Sequence, residues 1–217
     1  MGPFLPEILL AALLALFVVW VWRKQEPRRP LRPDETDRYL GVIEAKFPIP
    51  DGMDKPALLA RLRAFAEADD GRDLYMTNLL RYHEHMASGP APAGHFTGAP
   101  AEANKIYERN TIPILLKSGA FPIFAGRAGC PNAIGANDPA DDNWSRILVV
   151  HYPSRRHFFD LLTNEKYLSK ADFKSYAMYL ALVPTRRELV VPEFRFLALV
   201  GALIVFLTVA WLHALFR

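Results

Sequence analysis

Six side chains of this 217-residue chain have the types needed to build a small-molecule pocket: Asn78, Tyr107, Arg109, Arg127, His151 and Tyr167. Asn78 sits in "LYMTNLLRY", where strand alternation puts it on one face with Met76 and Leu80. A buried amide costs free energy unless it is hydrogen-bonded, so Asn78 is either a pocket ligand or a satisfied polar group of the core, with the core role weighed first. Arg127 would bind an anion, and His151 is a strand histidine suited to act as a base near neutral pH. None of the six has a motif partner. "HEH" at His83, Glu84 and His85 would put two imidazoles on one side of a strand, with His95 in the loop beyond as a third donor. There is no H-E-x-x-H and no cysteine pair, so no metal and no cofactor is expected. Cys130 lies in a glycine-rich turn without a nearby histidine, which argues against a catalytic thiol. As the one cysteine it forms no intrachain disulfide, in keeping with a reducing compartment.

The elements that would hold these residues read β-α-β-β-α-β, an α+β, ferredoxin-like order over residues 72–192. "DLYMTNLLRY" alternates as a first strand and residues 101–117 form a helix that Pro113 kinks and Gly119 ends. "FPIFAGRAG" and "WSRILVVHYP" are strands, separated by the turn region "NAIGANDPADDN". Ser154 caps a short helix, a longer helical stretch runs over 165–182, and "RRELVV" closes the domain as a fourth strand. The loop over 88–100, rich in glycine, alanine and proline, is long enough to serve as a lid. Ahead of the domain, Asp54 and Pro56 open an amphipathic helix over 54–71. Residues 23–53 form a basic, proline-rich extended linker.

Two apolar runs, 4–22 and 194–216, have the length of membrane spans. No basic residue precedes the first run, and it ends in Trp20, Val21 and Trp22 rather than small residues, so it reads as a retained anchor. Trp20 and Trp22 fit an aromatic belt, and Arg23, Lys24, Arg28 and Arg29 read as membrane-interface residues facing lipid. The expected address is an integral membrane protein of the bacterial inner-membrane type, with two spans, both termini outside and a cytoplasmic middle. The net charge of +3 is concentrated in these flanks, and no basic stripe with interleaved aromatics points to nucleic acid.

At "LYMTNLLRYHEHM", "GAFPIFAGRAG", "ILVVHYPSRRHFFDLLTNEKY" and "RELVV" the chain resembles the DUF1330 family, over roughly Asp73 to Val191. The resemblance implies a dimeric α/β-barrel, in which antiparallel sheets pair between two copies and Asn78 stands at the family's strand asparagine. Related barrel families include monooxygenases, haem-degrading enzymes and isomerases that place substrate between sheet and helices. Where many members carry a His-Arg pair, this chain has Phe173 and Lys174. That departure favours a structural or recruiting role.

The leading expectation is a membrane-anchored accessory or assembly subunit of a larger membrane complex, partnered by the lipid bilayer and by other membrane proteins or a second copy. The competing one is a membrane-tethered small-molecule enzyme, of cofactor-independent monooxygenase or isomerase type, or a ligand-binding module without turnover.

Overall fold

The computed structural model describes residues 5–24, 29–130, 143–189 and 194–215, and the side chains of 9–20, 23, 29–130, 143–189 and 199–214. The chain divides into two units, Met1–Arg186 and Arg187–Arg217. The first holds a mixed α+β domain. Helices α1 (Leu5–Lys24), α2 (Pro33–Lys46) and α3 (Lys55–Glu67) precede strand β1 (Leu74–Tyr82), and α4 (Pro100–Lys117), β2 (Phe121–Arg127) and β3 (Arg146–Tyr152) follow. Helices α5 (Arg155–Leu162) and α6 (Glu165–Ser175) then lead to β4 (Met178–Thr185). The second unit contributes α7 (Phe194–Leu215).

The four strands form one antiparallel sheet in the order β2-β3-β1-β4. Its register sets the two faces, because side chains alternate along each strand. Met76, Asn78 and Leu80 lie opposite Val150, Leu148 and Arg146, and opposite Pro184, Leu182 and Leu180 on the other side. This is the covered face, where Met76, Asn78, Leu80 and Val150 are buried. Tyr75, Thr77 and Leu79 share the opposite face with His151, Val149 and Ile147. Within the first unit no described element covers it: Phe124, Val183 and Tyr179 there are 55%, 44% and 56% exposed.

Residues 33–46, expected as part of an extended linker, are instead the helix α2. The spacing of Thr36, Tyr39, Leu40 and Ile43 gives one helical face, and all four are buried. Pro33 occupies the first turn, where its missing N–H costs nothing, and Asp34 and Glu35 complement the positive helix end. Tyr39 stacks on Phe159 at 5.5 Å and its hydroxyl donates to Asp160 Oδ1 at 2.5 Å. Glu35 makes a two-pronged ion pair with Arg156 of α5, at 2.9 and 3.0 Å, and also accepts from Arg29 at 2.8 and 3.1 Å and from the Arg32 N–H at 3.0 Å. Arg29 is therefore an ion-pair partner of Glu35, which corrects its reading as a lipid-facing residue. Of the other residues in that group, Arg23 and Trp20 are exposed, Arg28 lies outside the described residues, and so do the side chains of Lys24 and Trp22.

The last strand is also corrected. Helix α6 ends at Ser175 rather than 182, and the strand is Met178–Thr185 rather than "RRELVV". The run "AMYLALVPT" is apolar throughout and fits either period; pairing with β1 along its whole length decides for the strand. Arg186 to Leu189 carry no strand, and Val190 and Val191 lie outside the described residues, as does the turn region 131–142.

Among the described residues no helix is long and apolar enough to cross a membrane. This finding overturns the expectation of an integral membrane protein with two spans.

The Glu35 cluster generates a pH dependence. Hydrogen bonds from Arg156, Arg32 and Arg29 hold the Glu35 carboxyl far below its ordinary value of 4.5. A carboxyl depressed in the folded state adds stability that is present above its unfolded pKa and is lost as pH falls toward the folded one. Denaturant midpoints of the wild type should therefore drop below about pH 4.5. Glu35→Gln should lower the midpoint at pH 7 and flatten that acid-side slope; a variant whose midpoint tracks the wild type from pH 7 to pH 3 would remove the cluster from the account of the fold.

Candidate functional site

Helices α4 and α6 cross the covered face of the sheet and pack on each other. Between them and the strands lies a cavity of ≈ 200 Å³. Leu80, Leu148, Val150, Leu115 and Leu161 supply an apolar lining, with Tyr152 among them. Two polar groupings interrupt it.

The first centres on Asn78. Its Nδ2 donates to the carbonyls of Met76 at 2.9 Å and Leu148 at 3.1 Å. Carbonyls only accept, so the amide orientation is fixed and Oδ1 is left as an acceptor. Lys174 Nζ of α6 donates to it at 3.2 Å. The same ammonium lies 5.3 Å from the centre of the Tyr107 ring, a cation–π contact. Among the described residues no carboxylate pairs with Lys174. A half-buried cation held by an amide and a ring, without a counter-charge, is an incomplete electrostatic arrangement. Beside it the Tyr107 hydroxyl donates to Tyr167 at 3.3 Å, with the rings edge-to-face. Burial pushes the Tyr167 phenol well above its ordinary value, and the neighbouring Tyr107 adds to the shift. Burial likewise raises Tyr152. Both therefore stay neutral near pH 7 and keep their protons to donate.

The second grouping is Glu108, Asn104 and Arg146. Glu108 Oε1 takes the Asn104 Nδ2 donor at 3.2 Å and pairs with the Arg146 guanidinium. Asn104 Nδ2 also lies 3.2 Å from the Tyr82 hydroxyl. These contacts fix the Asn104 amide, because an amide oxygen turned toward the carboxylate would be repelled. Its Oδ1, buried in a residue only 2% exposed, is left without a donor, at a cost of about 1–3 kcal/mol. The ion pair largely cancels the charge of Arg146, so the net positive charge of the cavity sits at Lys174.

The structure brings Asn78, Tyr107 and Tyr167 together in this cavity and places the other expected site residues elsewhere. Arg109 and Arg127 are exposed and outside its lining. His151 is one residue out of step with Leu148, Val150 and Tyr152, so it points to the other face, within 5.0 Å of the Tyr75 and Phe121 rings and 3.3 Å from Asp73. The strand ends at Tyr82, so His83 and His85 do not share a strand face. His83 packs against Tyr179 at 4.2 Å, and burial together with Arg81 lowers its pKa. His85 and His95 are exposed, and among the described residues no three His, Cys, Asp or Glu side chains group as a metal site. The 88–100 segment is no free lid. The Ala93 N–H donates to the buried Asp172 at 2.9 Å, Phe96 meets Phe173 edge-on at 5.8 Å, and no residue of the segment lines the cavity.

Residue-by-residue reading of the sequence missed Lys174, Arg146, Glu108 and Asn104. The available signals were helical spacing, which puts Asn104, Tyr107, Glu108 and Thr111 on one face of α4, and strand alternation, which puts Arg146 in line with Leu148.

No family model and no curated protein matches the chain. Among solved structures it is similar to the methylated RPA0582 protein, with 22% identity, covering 68% of this chain and 98% of that one at a TM-score of 0.50. It is also similar to RPA0582 from Rhodopseudomonas palustris, a protein of unknown function, with 21% identity over 66% of this chain and 98% of that one at a TM-score of 0.49. The first likeness shows an α/β fold over two thirds of the chain and nothing of its chemistry.

Proposed function

We propose that the domain is a ferredoxin-like unit of the dimeric α/β-barrel, DUF1330 kind and that it works as a binding module for a small organic anion. The observation that carries this reading is the Lys174 ammonium, set in a largely apolar cavity with an amide and an aromatic ring for neighbours and no carboxylate. An entering carboxylate supplies the missing counter-charge and takes the remaining N–H donors of Lys174. The apolar walls take the body of the ligand, and about 200 Å³ suits a compound of about ten non-hydrogen atoms. Binding is favoured over turnover because the expected base, His151, lies on the opposite face, and the cavity carboxylate, Glu108, is already paired with Arg146.

Sodium benzoate is a suitable probe. Ligand at 100 times its Kd adds about 2.7 kcal/mol to a folded domain, which raises the melting temperature by several degrees. The wild type and Lys174→Arg should show this shift, and Lys174→Met should melt normally and show none. Equal stabilisation of all three by benzoate would put the anion somewhere else.

A second reading, an accessory or assembly subunit, is favoured by the open face of the sheet. Phe124, Val183 and Tyr179 form an apolar surface there that a protein partner would cover, with a second copy as the simplest partner. Light scattering on the purified chain should give a dimer, and Phe124→Glu should give a monomer of unchanged helix and strand content. A wild-type monomer with this face in solvent would leave the surface to a different protein.

A further inference from the structure

Resting on the anion-binding reading, we propose that the cavity is built for a hydroxy acid: a carboxylate at Lys174 and a hydroxyl about 7 Å away at the Glu108–Arg146 pair. The spacing comes from the sheet. Asn78, which holds Lys174, lies opposite Leu148, and Arg146 is two residues along the same strand and the same face; at ~3.3 Å per residue the strand positions that anchor the two groupings are about 7 Å apart.

The chemistry of the second grouping selects the group it receives. Glu108 has committed Oε1 to Asn104 and Arg146, and among the described residues Oε2 has no partner. Arg146 has further N–H groups beyond the one that meets Glu108. A hydroxyl can donate to the carboxylate and accept from the guanidinium at once. A second carboxylate would be repelled by Glu108, and a methyl group would leave Glu108 Oε2 unpaired. Because the Arg146 charge is compensated and that of Lys174 is not, the ligand has one orientation, with its carboxylate at Lys174.

The test is calorimetric titration of the full chain with two matched pairs, 4-hydroxybenzoate against benzoate and 6-hydroxyhexanoate against hexanoate. At least one hydroxy acid should bind about tenfold or more tightly than its partner lacking the hydroxyl. In Glu108→Gln, with an unchanged circular dichroism spectrum, that preference should shrink, because the carboxylate that accepts from the hydroxyl is gone; a preference as large as in the wild type would overturn the hydroxyl site. Matched affinities within both pairs would overturn the hydroxyl site and leave the anion site standing. Failure of all four acids to bind would overturn both.

Discussion

A carboxamide buried on a central strand must find partners for two donors and an acceptor, and the way Asn78 does so organises the rest of the domain. Its donors go to Met76 on its own strand and Leu148 on the neighbouring one. That leaves its oxygen aimed at the helix layer, where only a donor can satisfy it. Lys174 is that donor, and it brings a charge into the covered side of the sheet. Asn78 thus joins a polar requirement of the sheet to a cationic seat between the helices. The cavity follows from this pairing: an ammonium needs room and acceptors that a close-packed leucine core would not leave.

Other contacts keep the cavity in shape from a distance. Asn164 caps α6 by accepting from the N–H groups of Lys166 and Tyr167, which sets the helix that carries both Tyr167 and Lys174. Gly119, at φ 90, turns the chain out of α4 and into β2 where a side chain would be strained. On the far side of the core, α2 is held to α5 by the Glu35–Arg156 fork and by the stacking of Tyr39 on Phe159. Breaking such a buried ion pair is costly, since removing either partner strands the other charge.

How much of this was legible in the sequence depended on whether periodicity and polarity agreed. In β1, β2, β3 and α4 they did, and those elements lie where strand alternation and helical spacing put them. They disagreed in α2, where prolines and charges before the first turn masked the Thr36, Tyr39, Leu40, Ile43 face, and in β4, where an unbroken apolar run carried no period to read. Asn78, Tyr107 and Tyr167 were readable as pocket residues because each is a polar or aromatic side chain with a defined face. His151 was misplaced by a single step of strand parity. Glu108 and Arg146 escaped notice because charged residues of a single sequence look solvated until their partners are seen. The open sheet face could be anticipated from strand order alone, but nothing in the strands says what covers it.

The central claim is that the Lys174 ammonium is the seat of a small anion. It is tested most directly by NMR on protein with 13C-labelled lysine, following the ε-methylene signals as benzoate is added, with the Lys174 signal assigned by its absence in Lys174→Arg. The account requires the Lys174 signal to move and saturate while those of the exposed lysines stay where they are. A Lys174 signal that stays fixed, or one that moves no more than every other lysine, would contradict it.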